Sequence, residues 1–233
     1  MLKTNCELTM ILSLENVAKS YQQGNSEIKV LKQLNLSVEK GETIAILGHS
    51  GAGKSTLLSL IAGLDHPSSG TVSICKQEVS SLSEAELTKF RRDHLGIVFQ
   101  QFHLISSLTA LENVKLPVDI LQQDNSDEKA LKALEQVGLG HRHNHLPRQL
   151  SGGESQRVAI ARAFVVEPDV LLADEPSGNL DSENGDKVMD LLFDLVEKKQ
   201  MTMILVTHNQ ALADRCQKQF YLREGVLTDN SNR

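Results

Sequence analysis

The stretch Gly48 to Thr56 (GHSGAGKST) constrains this chain more than any other. It follows a short apolar run, Thr43 to Leu47, and leads into Ser55 to Ala62, where Leu57, Leu58, Leu60 and Ile61 suit a buried helix closed by Gly63. A Gly-x4-Gly-Lys-Ser spacing set between a strand and a helix is the pattern of a phosphate-binding loop. Its glycines let backbone N–H groups curl around phosphate oxygens, Lys54 neutralises their charge, and the Ser55 hydroxyl is placed to ligate Mg2+ at the helix N-terminus. The whole loop, Gly48, His49, Ser50, Gly51, Ala52, Gly53, Lys54, Ser55 and Thr56, is the expected nucleotide contact.

A second string gives this loop a chemistry. Val170 to Glu175 (VLLADE) is a buried-strand run that ends in two adjacent carboxylates. Behind a phosphate loop, one carboxylate can hold the metal and the next can orient the attacking water. Asp174 takes the first role and Glu175 the second. A strand ending in Asp-Glu is otherwise an ordinary polar terminus, so the pair gains its weight from the loop upstream.

The remaining pattern is that of an α/β fold. Leu12 to Val17 and Leu34 to Val38 alternate apolar and polar residues, as half-buried antiparallel strands do. Ser83 and Glu86 form a capping box flanked by Leu82 and Leu87, which predicts a helix over 84–93, followed by a strand from Leu95 to Phe99. From Gln100 to Leu150 the chain turns loop-rich and helical, with Ala130, Leu131, Leu134 and Val137 at helical spacing up to Gly138. Val188, Leu191, Leu192, Leu195 and Val196 then recur at helical spacing between apolar runs at 170–173 and 203–206. Strand, crossover helix and parallel strand imply a mostly parallel sheet with ligands at its carboxyl ends.

Leu150 to Arg157 (LSGGESQR) narrows the family. Ser151 and Glu154 make another capping box, Gly152 and Gly153 permit close backbone approach, and a helix from about Gly152 to Glu167 would aim its positive end at an anion. This string matches the signature of the ABC ATPases, which the chain resembles from about Leu12 to Val226. The resemblance implies an α/β fold: a P-loop ABC ATPase with a mixed parallel-sheet core, an N-terminal antiparallel β lobe and an inserted helical lobe at about 101–167. It implies a single nucleotide-binding domain over 12–226, with flexible termini at 1–11 and 227–233. It also implies ATP and Mg2+ as cofactors, and a homodimer in which the signature of one copy covers the phosphates held by the other. Four more matches fall in the family's order: Tyr21 as the base-stacking aromatic, Gln100 as the glutamine that senses Mg2+ and water, Ser177 to Asp181 as the D-loop, and His208 as the switch histidine.

Within the family, Leu108 to Val114 (LTALENV), Glu175 to Asp181 (EPSGNLD) and Val206 to His208 are similar to the LolD/MacB/YbbA branch, and Gly185 to Phe193 lies nearest its YbbA members. That likeness implies integral membrane permease subunits with periplasmic domains as partners, and a place on the cytoplasmic face of the bacterial inner membrane.

Composition excludes other classes. A formal net charge of -6, with charges interspersed, offers no basic footprint for nucleic acid. No apolar run approaches the roughly 20 residues that span a bilayer, so no direct membrane span is expected. Met1 to Met10 lack the basic start and apolar stretch of a secretory signal and are expected to be poorly ordered. Cys6, Cys75 and Cys216 are far apart and form no Cys-x-x-Cys pair, which argues against a disulfide framework or a thiolate metal site. His141, His143 and His145 alternate in a loop with no carboxylate or thiolate beside them, and are read as solvated.

Overall fold

The computed structural model describes residues 10–24 and 26–229. It opens with two long antiparallel strands, β1 (Met10–Gln23) and β2 (Ser26–Glu39), in which Leu12 faces Val38 and Leu14 faces Leu36. Then come β3 (Thr43–Leu47), α1 (Lys54–Ile61), β4 (Ser69–Ile74), β5 (Gln77–Glu78), α2 (Glu84–His94) and β6 (Leu95–Val98). Three helices follow, α3 (Ala110–Ile120), α4 (Ser126–Gln136) and α5 (Gly152–Phe164). The chain closes with β7 (Val170–Asp174), α6 (Ser182–Lys198), β8 (Thr202–Thr207), α7 (Gln210–Ala213), β9 (Lys218–Arg223) and β10 (Val226–Asp229).

These strands form two sheets. The first runs β2-β1-β4-β5 and is antiparallel throughout. The second runs β10-β9-β3-β8-β7-β6, with parallel pairing from β9 to β6 and only β10 antiparallel. Strands buried on both faces should still alternate between two cores, and they do. Ile44, Ile46, Val170, Leu172, Ile204 and Val206 pack toward α1 and the antiparallel sheet. Their neighbours Ala45, Leu47, Leu171, Ala173, Met203 and Leu205 pack toward α3, α4, α5 and α6. The central sheet is therefore sandwiched, and its carboxyl edge collects the ends of β3, β7 and β8.

Several expectations shift. β1 begins at Met10 and β10 ends at Asp229, so residues 10–11 and 227–229, expected as flexible termini, lie in strands. Residues 1–9 and 230–233 lie outside the described residues. The antiparallel strands are longer than their clean alternation indicated because β1 carries register shifts, with Asn16 at φ 52, that break the period without ending the pairing. α5 stops at Phe164 rather than Glu167, where φ turns to +50. α3 starts at a further capping box: Thr109 Oγ1 accepts from Glu112 N–H at 3.3 Å, and the Glu112 carboxylate accepts from Thr109 N–H at 2.7 Å.

Candidate nucleotide site

The loop between β3 and α1 is held open by backbone conformations that suit glycine, Gly51 at φ +80 and Gly53 at φ +97. Gly53 also has Val30 and Leu31 side-chain carbons 3.0 Å from where a Cβ would stand, so a larger residue there would be both strained and crowded. Lys54 begins α1 with its side chain only 8% exposed. Its ammonium donates to the carbonyls of Gly48 at 2.8 Å and His49 at 3.2 Å, and stands 3.5 Å from a Glu175 oxygen. A buried cation is tolerated only with partners, and here the loop backbone and a carboxylate supply them.

The two carboxylates behave differently although adjacent. Asp174 ends β7 and accepts a 3.1 Å hydrogen bond from Ser55 Oγ. Burial pushes the Asp174 carboxyl above the usual aspartate range, the bond from Ser55 opposes this, and the charge of Glu175 adds to it. Glu175 sits just past the strand at φ +44, a left-handed conformation that costs a non-glycine residue on the order of 1–3 kcal/mol and is typical of functional sites. Its N–H is tied to Val206 O at 2.9 Å, and His208 Nδ1 lies 2.5 Å from its Oε2.

These groups line a cavity of about 770 Å³ that also includes Gln100, His208, Thr56 and Val30. That volume lies within the usual range for small-molecule sites. Gln100 follows β6 and is pinned to the D-loop: its Nε2 donates to Asn179 Oδ1 at 3.2 Å, and Asn179 Nδ2 donates to Gln100 O at 3.0 Å. Ser55, Asp174 and Gln100 thus offer hydroxyl, carboxylate and amide oxygens in one cavity, an all-oxygen set that suits Mg2+.

Not every predicted residue joins them. Tyr21 is 41% exposed, with its hydroxyl donating to Asp65 Oδ2 at 2.8 Å, Lys19 4.8 Å from its ring centre and the Thr56 hydroxyl nearby. It stands beside the cavity lining rather than in it. Gly48, His49 and Ala52 shape the loop, the first two through the carbonyls that hold Lys54. Asp181 caps α6, accepting from Asn184 N–H at 3.1 Å, and lines a smaller cavity of about 280 Å³ that shares Glu175 and His208.

Ser151, Gly152, Gly153 and Glu154 stand apart from the phosphate loop of their own chain, and none lines the large cavity. Ser151 Oγ accepts from Glu154 N–H at 3.2 Å, Glu154 accepts from Ser151 N–H at 2.8 Å, and its second oxygen meets Arg142 at 3.1 Å. Gly152 faces Leu180 and Phe102, and Gly153 faces Asn184, which fixes the start of α5 against the D-loop and α6.

Two contributors escaped sequence reading. Val30 lines the cavity from β2, and Asn179 partners Gln100. Asn179 lay inside the recognised D-loop string, but nothing local said which side chain it would meet. His143 binds Gly140 O at 2.8 Å and His145 meets Arg142 at 3.1 Å; among the described residues this histidine group forms no ligand cluster.

Comparison with known proteins gives the family. Residues 31–178 match the ABC transporter family. The chain is 49% identical over 223 residues to the ABC transporter ATP-binding protein YbbA of Escherichia coli K12, covering 95% of this chain and 98% of that protein. It is 46% identical over 221 residues to the lipoprotein-releasing system ATP-binding protein LolD of Alcanivorax borkumensis, covering 94% and 97%. Among solved structures it is similar to the dimeric post-hydrolysis ATP-binding cassette MJ0796 bound to ADP and Pi, with a TM-score of 0.87 and 43% identity over 94% of this chain and 98% of that one. The chain belongs to the ABC transporter family, as an ATP-binding subunit with the ATPase activity of that family.

Proposed function

We propose that this chain drives a separately encoded membrane permease of the lipoprotein-release or macrolide-export type, working as a homodimer with two shared ATP sites. The observation that carries the dimer is the separation just described. The large cavity holds Lys54, Ser55, Asp174, Glu175, Gln100 and His208 but none of the signature residues. A second copy, placed head to tail, would supply Ser151, Gly152, Gly153 and Glu154 to the exposed side of the phosphates. The dimeric state of the similar cassette structures supports this arrangement.

In this reading the N–H groups of the 48–56 loop and the Lys54 ammonium receive the phosphates, and Tyr21 stacks beside the base. Ser55, Asp174 and Gln100 would hold Mg2+, which would supply charge neutralisation on the phosphate oxygens. Glu175 orients the attacking water and accepts its proton, and His208 swings from Glu175 to donate to the γ-phosphate. Asp181 signals across the dimer through the D-loop. ATP closes the dimer, hydrolysis reopens it, and the loop and helix from Gln100 to Val114 pass the motion to the permease.

Similarity to the lipoprotein-releasing system ATP-binding protein LolD supports the lipoprotein-release reading; in that reading the permease subunits carry periplasmic domains and the chain sits on the cytoplasmic face of the inner membrane. Among the described residues no helix is long and apolar enough to cross a membrane. The test is to express tagged Glu175→Gln chain in its native host, extract membranes gently with Mg-ATP and identify what co-purifies. A multi-span protein with a large periplasmic domain is expected. Ribosomal or other soluble partners alone would replace the transport reading with a non-transport ABC ATPase.

A further inference from the structure

A second cluster of chemically active side chains lies at the other end of β7 from the nucleotide site. Cys75 occupies the turn between β4 and β5, His94 is the last residue of α2, and Asp169 immediately precedes β7. Their thiol, imidazole and carboxylate ligand atoms all lie within 4.8 Å of one another, and all three residues are half-buried. His94 Nδ1 and Asp169 Oδ2 are 2.7 Å apart. Cysteine spacing along the sequence pointed away from a thiolate metal site, because the three partners come from three separate segments that only the fold brings together.

The turn itself is unusual. Cys75 and Lys76 have φ of +51 and +65, a pair of left-handed residues where a two-residue hairpin favours Asn-Gly. A cysteine there is a poor choice for the backbone, and its side chain faces an aspartate and a histidine on the neighbouring layer.

We propose that Cys75, His94 and Asp169 form a binding site for one divalent transition-metal ion of the zinc class. A soft thiolate with an imidazole and a single carboxylate selects Zn2+ or Co2+ over the oxygen-seeking Mg2+. Ligands at roughly 2.0–2.3 Å from a shared ion stand on the order of 3.5 Å apart, so side-chain rotations of about 1 Å open the present His94–Asp169 contact to admit it. Binding releases one proton from the thiol, and the thiolate and carboxylate then balance the charge of the ion. Three protein ligands leave the fourth position of a tetrahedral ion to be filled by water. The ion ties the antiparallel sheet to α2 and the central sheet, at the amino end of the strand whose carboxyl end bears Asp174.

The full chain, titrated with Co2+ in excess Mg2+ to occupy the all-oxygen site, should develop a thiolate-to-cobalt charge-transfer band that saturates at one ion per chain. Zn2+ should displace it, and both Cys75→Ser and Asp169→Asn should remove or weaken it. A band that survives Cys75→Ser, or no band at all, overturns the site. The unaltered protein gives a second measurement that does not depend on a variant folding. With Zn2+ at ten times its dissociation constant, alkylation of Cys75, followed by peptide mass spectrometry, should slow about tenfold. The buried Cys216 is the internal reference. An unchanged Cys75 rate overturns the proposal.

Discussion

His208 Nδ1 lies 2.5 Å from Glu175 Oε2 although 33 residues separate them, because β7 and β8 are adjacent parallel strands and each residue emerges just past its strand's carboxyl end. The pairing holds the carboxylate in the cavity with one oxygen toward His208 and the other toward Lys54. Glu175→Gln keeps the shape and removes the proton acceptor. Steady-state ATP hydrolysis should fall about 10²–10⁴-fold, and light scattering should show a dimer that forms only with ATP. A variant that stays monomeric with ATP would sink the shared-site arrangement.

Lys54→Ala removes the buried cation that the loop carbonyls hold. ATP affinity, measured by calorimetry, should drop by at least about tenfold, as expected for the loss of a charge-assisted contact to phosphate. Circular dichroism should stay that of the parent. Unchanged affinity would remove the phosphate role from this side chain.

Asp174 predicts a pH dependence whose sign is set by burial. Its pKa is raised in the folded state, chiefly by desolvation, so its native environment favours the protonated form. The associated stability is fully present below the ordinary aspartate value of about 3.9 and is lost as pH rises through the raised folded value. Burial thus penalises the ionised carboxylate in the folded protein without nucleotide or metal. Asp174→Asn should therefore raise the melting temperature of the nucleotide-free protein at pH 7, the gain should shrink as pH falls toward 4, and Mg2+-dependent hydrolysis should be lost. A lower melting temperature at pH 7 would show that the Ser55 contact outweighs burial.

Two helix caps of similar build separate stability from catalysis. Ser151→Ala and Thr109→Ala each remove a hydroxyl that accepts an N–H at a helix start, and each should cost about 1 kcal/mol by denaturant titration. Only Ser151→Ala should also slow hydrolysis by the purified chain as it dimerises with ATP, since Ser151 belongs to the proposed cross-dimer contact. Equal ATPase rates in the two variants would leave Ser151 a cap and nothing more.

Gly178→Ala tests the link between Gln100 and the D-loop. A Cβ at Gly178 would stand 2.7 Å from Gln100 Nε2, the far end of a flexible side chain, so the glutamine must move and its contact with Asn179 is broken. Hydrolysis should fall severalfold with a melting temperature within a few degrees of the parent. Parent-like activity would mean the Gln100–Asn179 pair does not position the glutamine.

What the sequence made legible was local. The phosphate loop, the Ser83 and Ser151 capping boxes and the buried runs of β3, β7 and β8 each announce themselves within a dozen residues, because their periods and caps are short-range properties. β5, only two residues long, and β9, whose Phe220 and Tyr221 are half-buried, lack such a period and escaped. α3 carries Pro117 in its interior, which weakens its helical signal although its cap is well formed. Side-chain partnerships such as Gln100 with Asn179, or Cys75 with His94 and Asp169, depend on which strands become neighbours, and no window of sequence contains that.

β7 lies between β6 and β8, and its residues Val170 to Ala173 are wholly buried. Its amides should be among the slowest in the chain to exchange with solvent, a fixed reference from which Asp174 and Glu175 project. His208 follows the equally buried β8 and should share that protection. Gln100 instead stands two residues beyond β6, the edge strand of the sheet, where amides should exchange faster. The site is thus divided between a well-protected post and one side chain on looser backbone, a division that suits a machine in which hydrolysis displaces one portion of the molecule against another.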